Sequence, residues 1–315
     1  MKQQALPRRG YFKNLAARLK RNWQMYVFLI LPLAYLIIFK YIPMVGVQIA
    51  FRRYTPAGGI WGSQWVGMAN FLKFFQSYQF SRVLGNTIKL SLYALAAGFP
   101  LPILLALCMN ALRNKHYQSF IQNITYMPHF ISTVVMVGII LQILNPRIGI
   151  FGNIYTSLTG KVAPDLMANP AAFGHLYVWT GIWQNCGWDT VIYVAALSGV
   201  DPELHEAAVI DGASRFKRLW SVDFPFIIPT IAITFILRCG SLVGIGFDKI
   251  YLMQNDLNLR ASEVISTYVY KVGLAAGGGD FSYGAAIGLF NSVINLILIV
   301  LVNWLSGRVS DNSLW

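Results

Sequence analysis

Charged side chains are scarce in this sequence. Only 12% of its 315 residues are charged, whereas 56% are hydrophobic. Soluble globular domains carry about 25% charged residues, because their surfaces face water. The composition therefore argues against a soluble enzyme and indicates a membrane protein embedded in a lipid bilayer.

Cysteine is also rare. Cys108, Cys186 and Cys239 each lie within an apolar run, without a CxxC spacing or a nearby histidine. Disulfide frameworks and structural zinc sites need several cysteines at short, regular spacings. The sequence predicts neither kind of site.

Acidic residues number only 12, against 25 lysines and arginines, which gives a formal charge of +13. Nucleic-acid binding would need basic and aromatic residues clustered on an exposed domain, and the sequence contains no such domain. Basic loops beside anionic lipids explain the charge more simply. We expect the bilayer as a partner and no nucleic acid.

Long apolar runs are abundant. A helix needs about 20 mostly apolar residues to cross the hydrocarbon core of a bilayer. Six runs qualify and predict an all-α membrane protein with six transmembrane helices in residues 25–305. They cover approximately residues 25–50, 86–112, 121–145, 174–199, 224–246 and 283–305.

Residues 1–24 form a basic tail without acidic residues, and no small-residue cleavage site follows it. We interpret the next apolar run as an uncleaved first span rather than a signal peptide. Lysine and arginine near span ends resist export, so we expect this tail in the cytoplasm. Six crossings then place the short C-terminal tail, 306–315, in the cytoplasm, and four crossings place residues 200–223 there.

Residues 200–223 form a polar insert between two membrane-length apolar runs, and its charged side chains cannot lie inside a bilayer. Pro202 and the acidic residues after it suit the first turn of a short helix. Gly212 is expected to end or sharply turn this helix. A basic stretch then leads to the fifth span, which Pro225 and Pro229 are expected to open.

A spaced motif lies in and just after the insert: Glu206-Ala207-Ala208, three residues, Gly212, nine residues, then Val222-Asp223-Phe224-Pro225. It closely resembles the signature of permease subunits of ATP-binding-cassette importers. That signature reads Glu-Ala-Ala, three residues, Gly, nine residues, an aliphatic residue, any residue, Leu and Pro. The chain departs from it at Val222 for the usual Ile and at Phe224 for the usual Leu, and both residues remain apolar.

In that family the element is a coupling helix, which seats in a groove of the ATPase subunit. The resemblance implies that Glu206 and Gly212 are the residues most sensitive to substitution. An ordinary loop between two spans is the alternative, and an isolated Glu-Ala-Ala would favour it. The residues implied to couple the chain to the ATPase are Glu206, Ala207, Ala208, Asp211, Gly212, Ala213 and Pro225.

Four further segments look like the carbohydrate-uptake branch of that family, in particular its bacterial oligosaccharide and polysaccharide permeases. The resemblance implies the type I importer permease fold in a bacterial cytoplasmic membrane. It also implies a second homologous permease, two ATPase subunits and an extracellular solute-binding protein as partners. The segments are Tyr41-Ile42-Pro43-Met44, the run 65–71, Pro128-His129-Phe130-Ile131-Ser132 and Ser313-Leu314-Trp315.

The sequence lacks a phosphate-binding loop. Such a loop needs a Gly-rich stretch that ends in Gly-Lys followed by Ser or Thr. At Gly160-Lys161, Val162 replaces the hydroxyl residue and Tyr155 replaces the first glycine. We therefore expect a non-catalytic chain that binds no cofactor, with ATP and Mg held by separate ATPase subunits.

Polar groups inside the predicted spans mark a candidate substrate pathway, because burying them in a bilayer is costly. Indoles can stack on sugar rings while amides and carboxylates bond the sugar hydroxyls, so the fourth span is the best candidate. The candidate residues are Trp183, Gln184, Asn185, Trp188 and Asp189 in the fourth span, Arg238 in the fifth, Asn291 and Asn295 in the sixth, and Tyr126 and His129 in the third.

Several of these residues have a second interpretation. Asn291 and Asn295 share a helix face, and packing against a neighbouring helix is favoured over substrate contact. Arg238 could neutralise an acidic sugar such as a uronate or pair with Asp189. His129 follows a proline and is expected to bond freed backbone rather than to act as a ligand.

The residues and the resemblance together predict a permease subunit of an ATP-driven, binding-protein-dependent oligosaccharide importer. A secondary transporter or channel is the alternative, for which Asp189 would be the mid-membrane acid. An intramembrane enzyme would need a nucleophile and a base on facing spans, and the sequence shows no such pair.

Overall fold

The protein is described by a computed structural model for residues 20–112, 114–275 and 279–309. This part of the chain is mostly helical. Its α-helices are Trp23–Leu36, Ile42–Met44, Gly59–Gly62, Ala69–Phe75, Gln79–Gly98, Pro100–Asn110, Lys115–Tyr126, Thr133–Ile143, Ile150–Thr159, Pro170–Asp189, Val191–Leu197, Pro202–Ile210, Arg215–Arg218, Phe224–Gly240, Phe247–Met253, Leu259–Ser262, Ile265–Tyr270 and Phe281–Val309.

Tighter and wider helical turns connect several of these helices. The 3₁₀ turns are Val45–Phe51 and Met127–Phe130, and the π turns are Ile37–Tyr41, Leu219–Asp223 and Lys271–Ala275. One short antiparallel strand pair joins Arg52–Arg53 to Gln64–Trp65, with Arg52 opposite Trp65.

Among the residues that the structure describes, four helices are long and apolar enough to cross a membrane, and we call them spans 1, 2, 5 and 6. They are Trp23–Phe51, Gln79–Asn110, Arg215–Gly240 and Phe281–Arg308. Span 3 is a bent pair, Lys115–Phe130 and Thr133–Ile143. Span 4 consists of Pro170–Asp189 and Val191–Leu197, whose polar side chains make it less apolar than the other spans. The structure is compatible with the six predicted spans.

The third span, predicted as one apolar run over residues 121–145, is not one continuous helix. Its two halves meet at 97°. The backbone is extended at Ile131 and Ser132, and the Ser132 hydroxyl accepts a hydrogen bond from the Val135 amide at 3.4 Å. A serine in this conformation caps a new helix, so the chain starts a second helix instead of continuing the first.

Span 5 begins at Arg215, well before the predicted start at residue 224. Pro225 has no amide hydrogen and cannot bond the carbonyl of Ser221, one turn earlier. The turn Leu219–Asp223 widens into a π-helix there, and the Phe224 amide bonds the Leu219 carbonyl instead. Pro225 therefore lies in the first turn of the α-helix Phe224–Gly240, as predicted, although the continuous helical span already begins at Arg215.

Buried apolar side chains hold the spans together at several levels. One cluster, which includes Leu90, Met136, Phe173 and Ile250, joins spans 2, 3 and 4 to the helix Phe247–Met253. Another joins spans 2, 4 and 5 through Ile103, Leu107, Tyr193, Leu197 and Ile227. In span 1, by contrast, the helix Trp23–Leu36 buries no side chain against the rest of the chain.

Candidate coupling site and substrate pathway

The polar insert folds as the sequence predicts, into a short helix that ends at a glycine. Asp201 caps the helix Pro202–Ile210 by accepting a hydrogen bond from the Glu203 amide at 3.0 Å. Gly212 adopts a φ of 75°, and the Ala213 amide bonds the Ala208 carbonyl at 2.9 Å. The left-handed glycine confirms the expected turn.

This helix presents a largely exposed surface. Glu206, Ala207, Asp211 and Gly212 are exposed, whereas Ala208 and Ala213 are half-buried. Ile210 is 86% exposed, which is unusual for an apolar residue on a polar insert. A surface of this kind is available to a partner. Pro225, the remaining motif residue, lies apart from it in span 5.

Behind the insert helix, a buried carboxylate joins that helix to span 5 and to the end of span 2. The sequence did not suggest this contact. Asp223 is only 2% exposed and lies in the π turn of span 5. Its Oδ1 atom is 3.2 Å from Nε2 of His205, in the insert helix, and accepts a hydrogen bond from Nδ2 of Asn110, at the end of span 2, at 3.1 Å. The only sequence signal was a carboxylate among apolar residues, Val222-Asp223-Phe224.

Spans 2, 4 and 5 and the helix Phe247–Met253 line an open cavity of about 320 Å³, which we call the Lys249 cavity. Two cationic side chains, Lys249 and Arg238, line it together with one acid, Asp189. Its walls therefore carry an excess of positive charge when Lys249 is protonated. The remaining lining residues are Ala94, Gly98, Tyr177, Val178, Gly181, Ile182, Asn185 and Cys186.

Lys249 is only 9% exposed, and the sequence did not single it out. Its ammonium donates a hydrogen bond to the Tyr177 carbonyl at 2.8 Å and lies 4.9 Å from the centre of the Tyr177 ring. A Cβ atom at Gly181 would come within 3.1 Å of this nitrogen, so glycine leaves room for it. Burial lowers the pKa of Lys249 to about 7. The available signal was a lysine, next to Asp248, in the otherwise apolar segment Phe247–Met253.

Arg238 forms an ion pair with Asp189, from Nη2 to Oδ2, which confirms the pairing interpretation of Arg238. Both side chains stay partly exposed, at 43% for Arg238 and 27% for Asp189. The pair also borders a second cavity of about 420 Å³, the Trp188 cavity. Its lining residues are Phe99, Pro102, Trp188, Asp189, Val191, Ile192, Tyr193, Ala195, Thr234, Leu237 and Arg238.

His129 bonds a side chain of span 4, so the prediction that it bonds freed backbone is wrong. Its Nδ1 atom lies 3.0 Å from Oδ1 of Asn185. Its ring stacks on Trp188, with ring centres 4.7 Å apart and planes 2° apart. His129 lies in the turn Met127–Phe130, directly before the bend in span 3, and that bend was not predicted.

The other fourth-span candidates divide into exposed and structural residues. Trp183 and Trp188 are 53% and 45% exposed. Gln184 is buried and donates a hydrogen bond to the Ile131 carbonyl at 2.8 Å, which supports the bend in span 3. The third-span candidate Tyr126 is half-buried at the end of the helix Lys115–Tyr126.

The two asparagines of span 6 lie away from the Lys249 cavity. Asn295 accepts a hydrogen bond from the Val243 amide at 3.1 Å, in the segment that follows span 5. This contact agrees with the predicted packing role. Within the described chain, Oδ1 of Asn291 is buried and has no hydrogen-bond partner.

The sequence resembles known transport proteins over nearly its full length. It is 40% identical to Protein LplB of Bacillus subtilis (strain 168) over 95% of this chain and 93% of that protein. It is 37% identical to the polygalacturonan/rhamnogalacturonan transport system permease protein YteP of the same organism, over 96% and 94%.

Two solved structures share the fold, each with a TM-score of 0.85. One is a bacterial ABC transporter involved in the import of the acidic polysaccharide alginate, with 35% identity over 94% of this chain and 99% of that chain. The other is a bacterial alginate ABC transporter in complex with an alginate pentasaccharide-bound periplasmic protein, with 34% identity over 95% and 99%.

The family model for binding-protein-dependent transport system inner membrane components matches residues 98–311. This match includes the insert helix, the Asp189–Arg238 pair and Lys249. The chain therefore belongs to the family of binding-protein-dependent transport system inner membrane components, the multi-pass permeases of ATP-binding-cassette transporters.

Proposed function

We propose that this permease imports acidic oligosaccharides that contain uronate residues. The observation that carries the proposal is the Lys249 cavity, whose lining contains two cationic side chains, Lys249 and Arg238, and one acid, Asp189. When Lys249 is protonated, the walls can therefore accept one further negative charge. The relatives named for polygalacturonan and for the acidic polysaccharide alginate support a substrate with carboxylates.

The cavity offers each chemical group that a uronate needs. One N–H of the Lys249 ammonium bonds the Tyr177 carbonyl, which leaves two N–H groups for a carboxylate. The Arg238 guanidinium can bind a carboxylate through two parallel hydrogen bonds. The Asn185 side chain at the same wall can bond sugar hydroxyls. A neutral sugar would leave the excess positive charge uncompensated.

For the assembly, we propose a second homologous permease, two ATPase subunits and an extracellular solute-binding protein as partners, with both termini in the cytoplasm. The periplasmic protein named in one similar structure supports the binding-protein partner. The exposed insert helix, with Ile210 at its end, supports docking of an ATPase that holds ATP and Mg. Family membership favours this assembly over a secondary transporter or channel.

ATP drives transport only if the nucleotide binds one state of the assembly better than the other, because differential affinity alone shifts an equilibrium. In our proposal the ATPase subunits close around ATP and move the insert helix. That helix is joined to spans 2 and 5 through Asp223, so its movement would reach the walls of the pathway.

The test is uptake by the assembled complex in proteoliposomes, with oligogalacturonate and a neutral oligosaccharide of equal length. We expect Lys249→Gln to reduce uronate uptake by about tenfold, which corresponds to about 1.4 kcal/mol, and to leave neutral uptake near its low starting value. Lys161→Gln is the matched control, because Lys161 is an exposed residue outside the spans. Preferred uptake of the neutral sugar by the unaltered complex would disprove the proposal.

A further inference from the structure

We infer that the Asp189–Arg238 pair closes the route between two cavities. In the closed state the Asp189 carboxylate occupies the place on Arg238 that a substrate carboxylate takes. The route opens when a substrate carboxylate displaces Asp189, so Asp189 determines specificity. The inference rests on the proposed function for its substrate. Its structural part, a partition made by one ion pair, can be tested without any substrate.

The position of the pair carries the inference. The Lys249 cavity and the Trp188 cavity have different walls, and Asp189 and Arg238 are the two residues that line both. The pair therefore lies between the cavities. Span 4 supplies one side chain and span 5 the other, so the contact also links two elements that would have to separate for a sugar to pass.

The surroundings of the pair make exchange feasible. Both side chains are partly exposed to the cavities, so incoming groups can reach them. A partly exposed ion pair is weak, because water compensates the separated charges. In a fully buried pair, loss of one partner would leave an unpaired charge away from water, so such a pair would be much harder to open.

The exchange of one carboxylate for another conserves the charge and the hydrogen bonds at Arg238. A uronate carboxylate and the Asp189 carboxylate carry the same charge and accept the same hydrogen bonds from a guanidinium. When substrate takes Arg238, the released Asp189 carboxylate remains in the wall of the cavity that Lys249 also lines. A neutral sugar has no group that can replace a carboxylate in this way. Selection for acidic substrates would thus follow from opening the partition as well as from binding.

Native cysteines provide a substrate-free test of the partition. Cys186 lines the Lys249 cavity, and Ala195 lines the Trp188 cavity. One complex keeps Cys186 alone, with Cys108→Ser and Cys239→Ala. A second carries Ala195→Cys with all three native cysteines replaced. Each is reconstituted in proteoliposomes and labelled with a membrane-impermeant thiol reagent added to one side at a time.

We expect each cysteine to be labelled from a single side, and the two from opposite sides. Asp189→Asn should raise labelling from the protected side by at least about fivefold at both positions. The reversed pair, Asp189→Arg with Arg238→Asp, should restore protection, because the attraction is kept while both side chains change. Unchanged labelling in Asp189→Asn, or a reversed pair that stays open, would overturn the inference. ATP hydrolysis by each complex shows whether that complex has assembled. If the complex with the reversed pair does not assemble, Asp189→Asn alone still tests the inference.

A second experiment measures how substrate changes the labelling. Oligogalacturonate added to the unaltered complex should increase labelling across the partition, and a neutral oligosaccharide of equal length should not. If Asp189→Asn opens the partition but no uronate does, the partition stands and the exchange with substrate is wrong. If neutral sugars are imported and also open it, the proposed function fails instead.

Discussion

Nε2 of His205 lies 3.2 Å from Oδ1 of Asp223, so the insert helix contacts the wide turn of span 5 through a buried carboxylate. Asn110 bonds the same oxygen from the end of span 2. One residue thus joins the exposed helix to two spans. If the insert helix moved, its contact with Asp223 and the hydrogen bond from Asn110 to Asp223 would transmit the movement to both spans, because such contacts are directional.

The first prediction concerns this carboxylate. Asp223→Asn keeps the shape of the side chain but removes the charge that faces His205. We expect the complex to assemble and hydrolyse ATP, while the stimulation of hydrolysis by loaded binding protein falls by about tenfold. Asp256→Asn, an exposed acid between spans 5 and 6, is the control. Full stimulation in Asp223→Asn would mean that the contact is only structural.

A second prediction concerns the turn after the insert helix. Gly212 has a φ of 75°, and a side chain there costs roughly 1–2 kcal/mol. Gly212→Ala should therefore misplace the helix end and reduce co-purification of the ATPase subunits. Gly212→Asn should lose less, because asparagine tolerates this backbone conformation better. Gly138→Ala, in open space within the helix Thr133–Ile143, should have no effect. Equal losses in Gly212→Ala and Gly212→Asn would contradict the conformational explanation.

The third prediction tests the docking surface itself. Glu206 is exposed on the insert helix, and the family motif implies that it meets the ATPase. We expect Glu206→Ala to lower substrate-stimulated ATP hydrolysis in the assembled complex. Glu203→Ala, an exposed residue in the first turn of the same helix, is the matched control. Unchanged stimulation in Glu206→Ala would count against this residue as a contact.

The fourth prediction is a pH dependence. Burial lowers the pKa of Lys249 to about 7, so its ammonium loses the proton as pH rises through that value. The uronate carboxylate stays ionised throughout. Half-saturating uronate concentrations should therefore rise between about pH 6 and pH 8, and Lys249→Gln should flatten that dependence. The same profile in the unaltered protein and in Lys249→Gln would show that another group titrates.

The sequence was sufficient for features that depend on neighbouring residues. The insert helix follows from Pro202 and the acids beside it, and its end follows from Gly212, because capping and left-handed turns are local. The long apolar spans follow from composition in the same way.

The Lys249 cavity depends instead on contacts between distant segments. Lys249 meets Tyr177 from 72 positions away, and His129 meets Asn185 from 56 positions away. A single sequence does not indicate which polar residues meet. Arg238 and Asp189 could be predicted as a pair, because each was a rare charge in its own span.

The last prediction concerns the contact that positions span 4. A Cβ atom at Gly187 would lie 2.0 Å from the Thr125 carbonyl, so the backbones of spans 3 and 4 touch there. Gly187→Ala must push them apart, at a cost of about 1–3 kcal/mol. The neighbours Trp188 and Asp189 would move with the helix. We expect a lower melting temperature of the purified complex and a loss of uronate uptake, with Gly138→Ala as the neutral control. A stable Gly187→Ala complex with full uptake would show that the spans tolerate separation, and the geometry of the Asp189–Arg238 pair would then not depend on this contact.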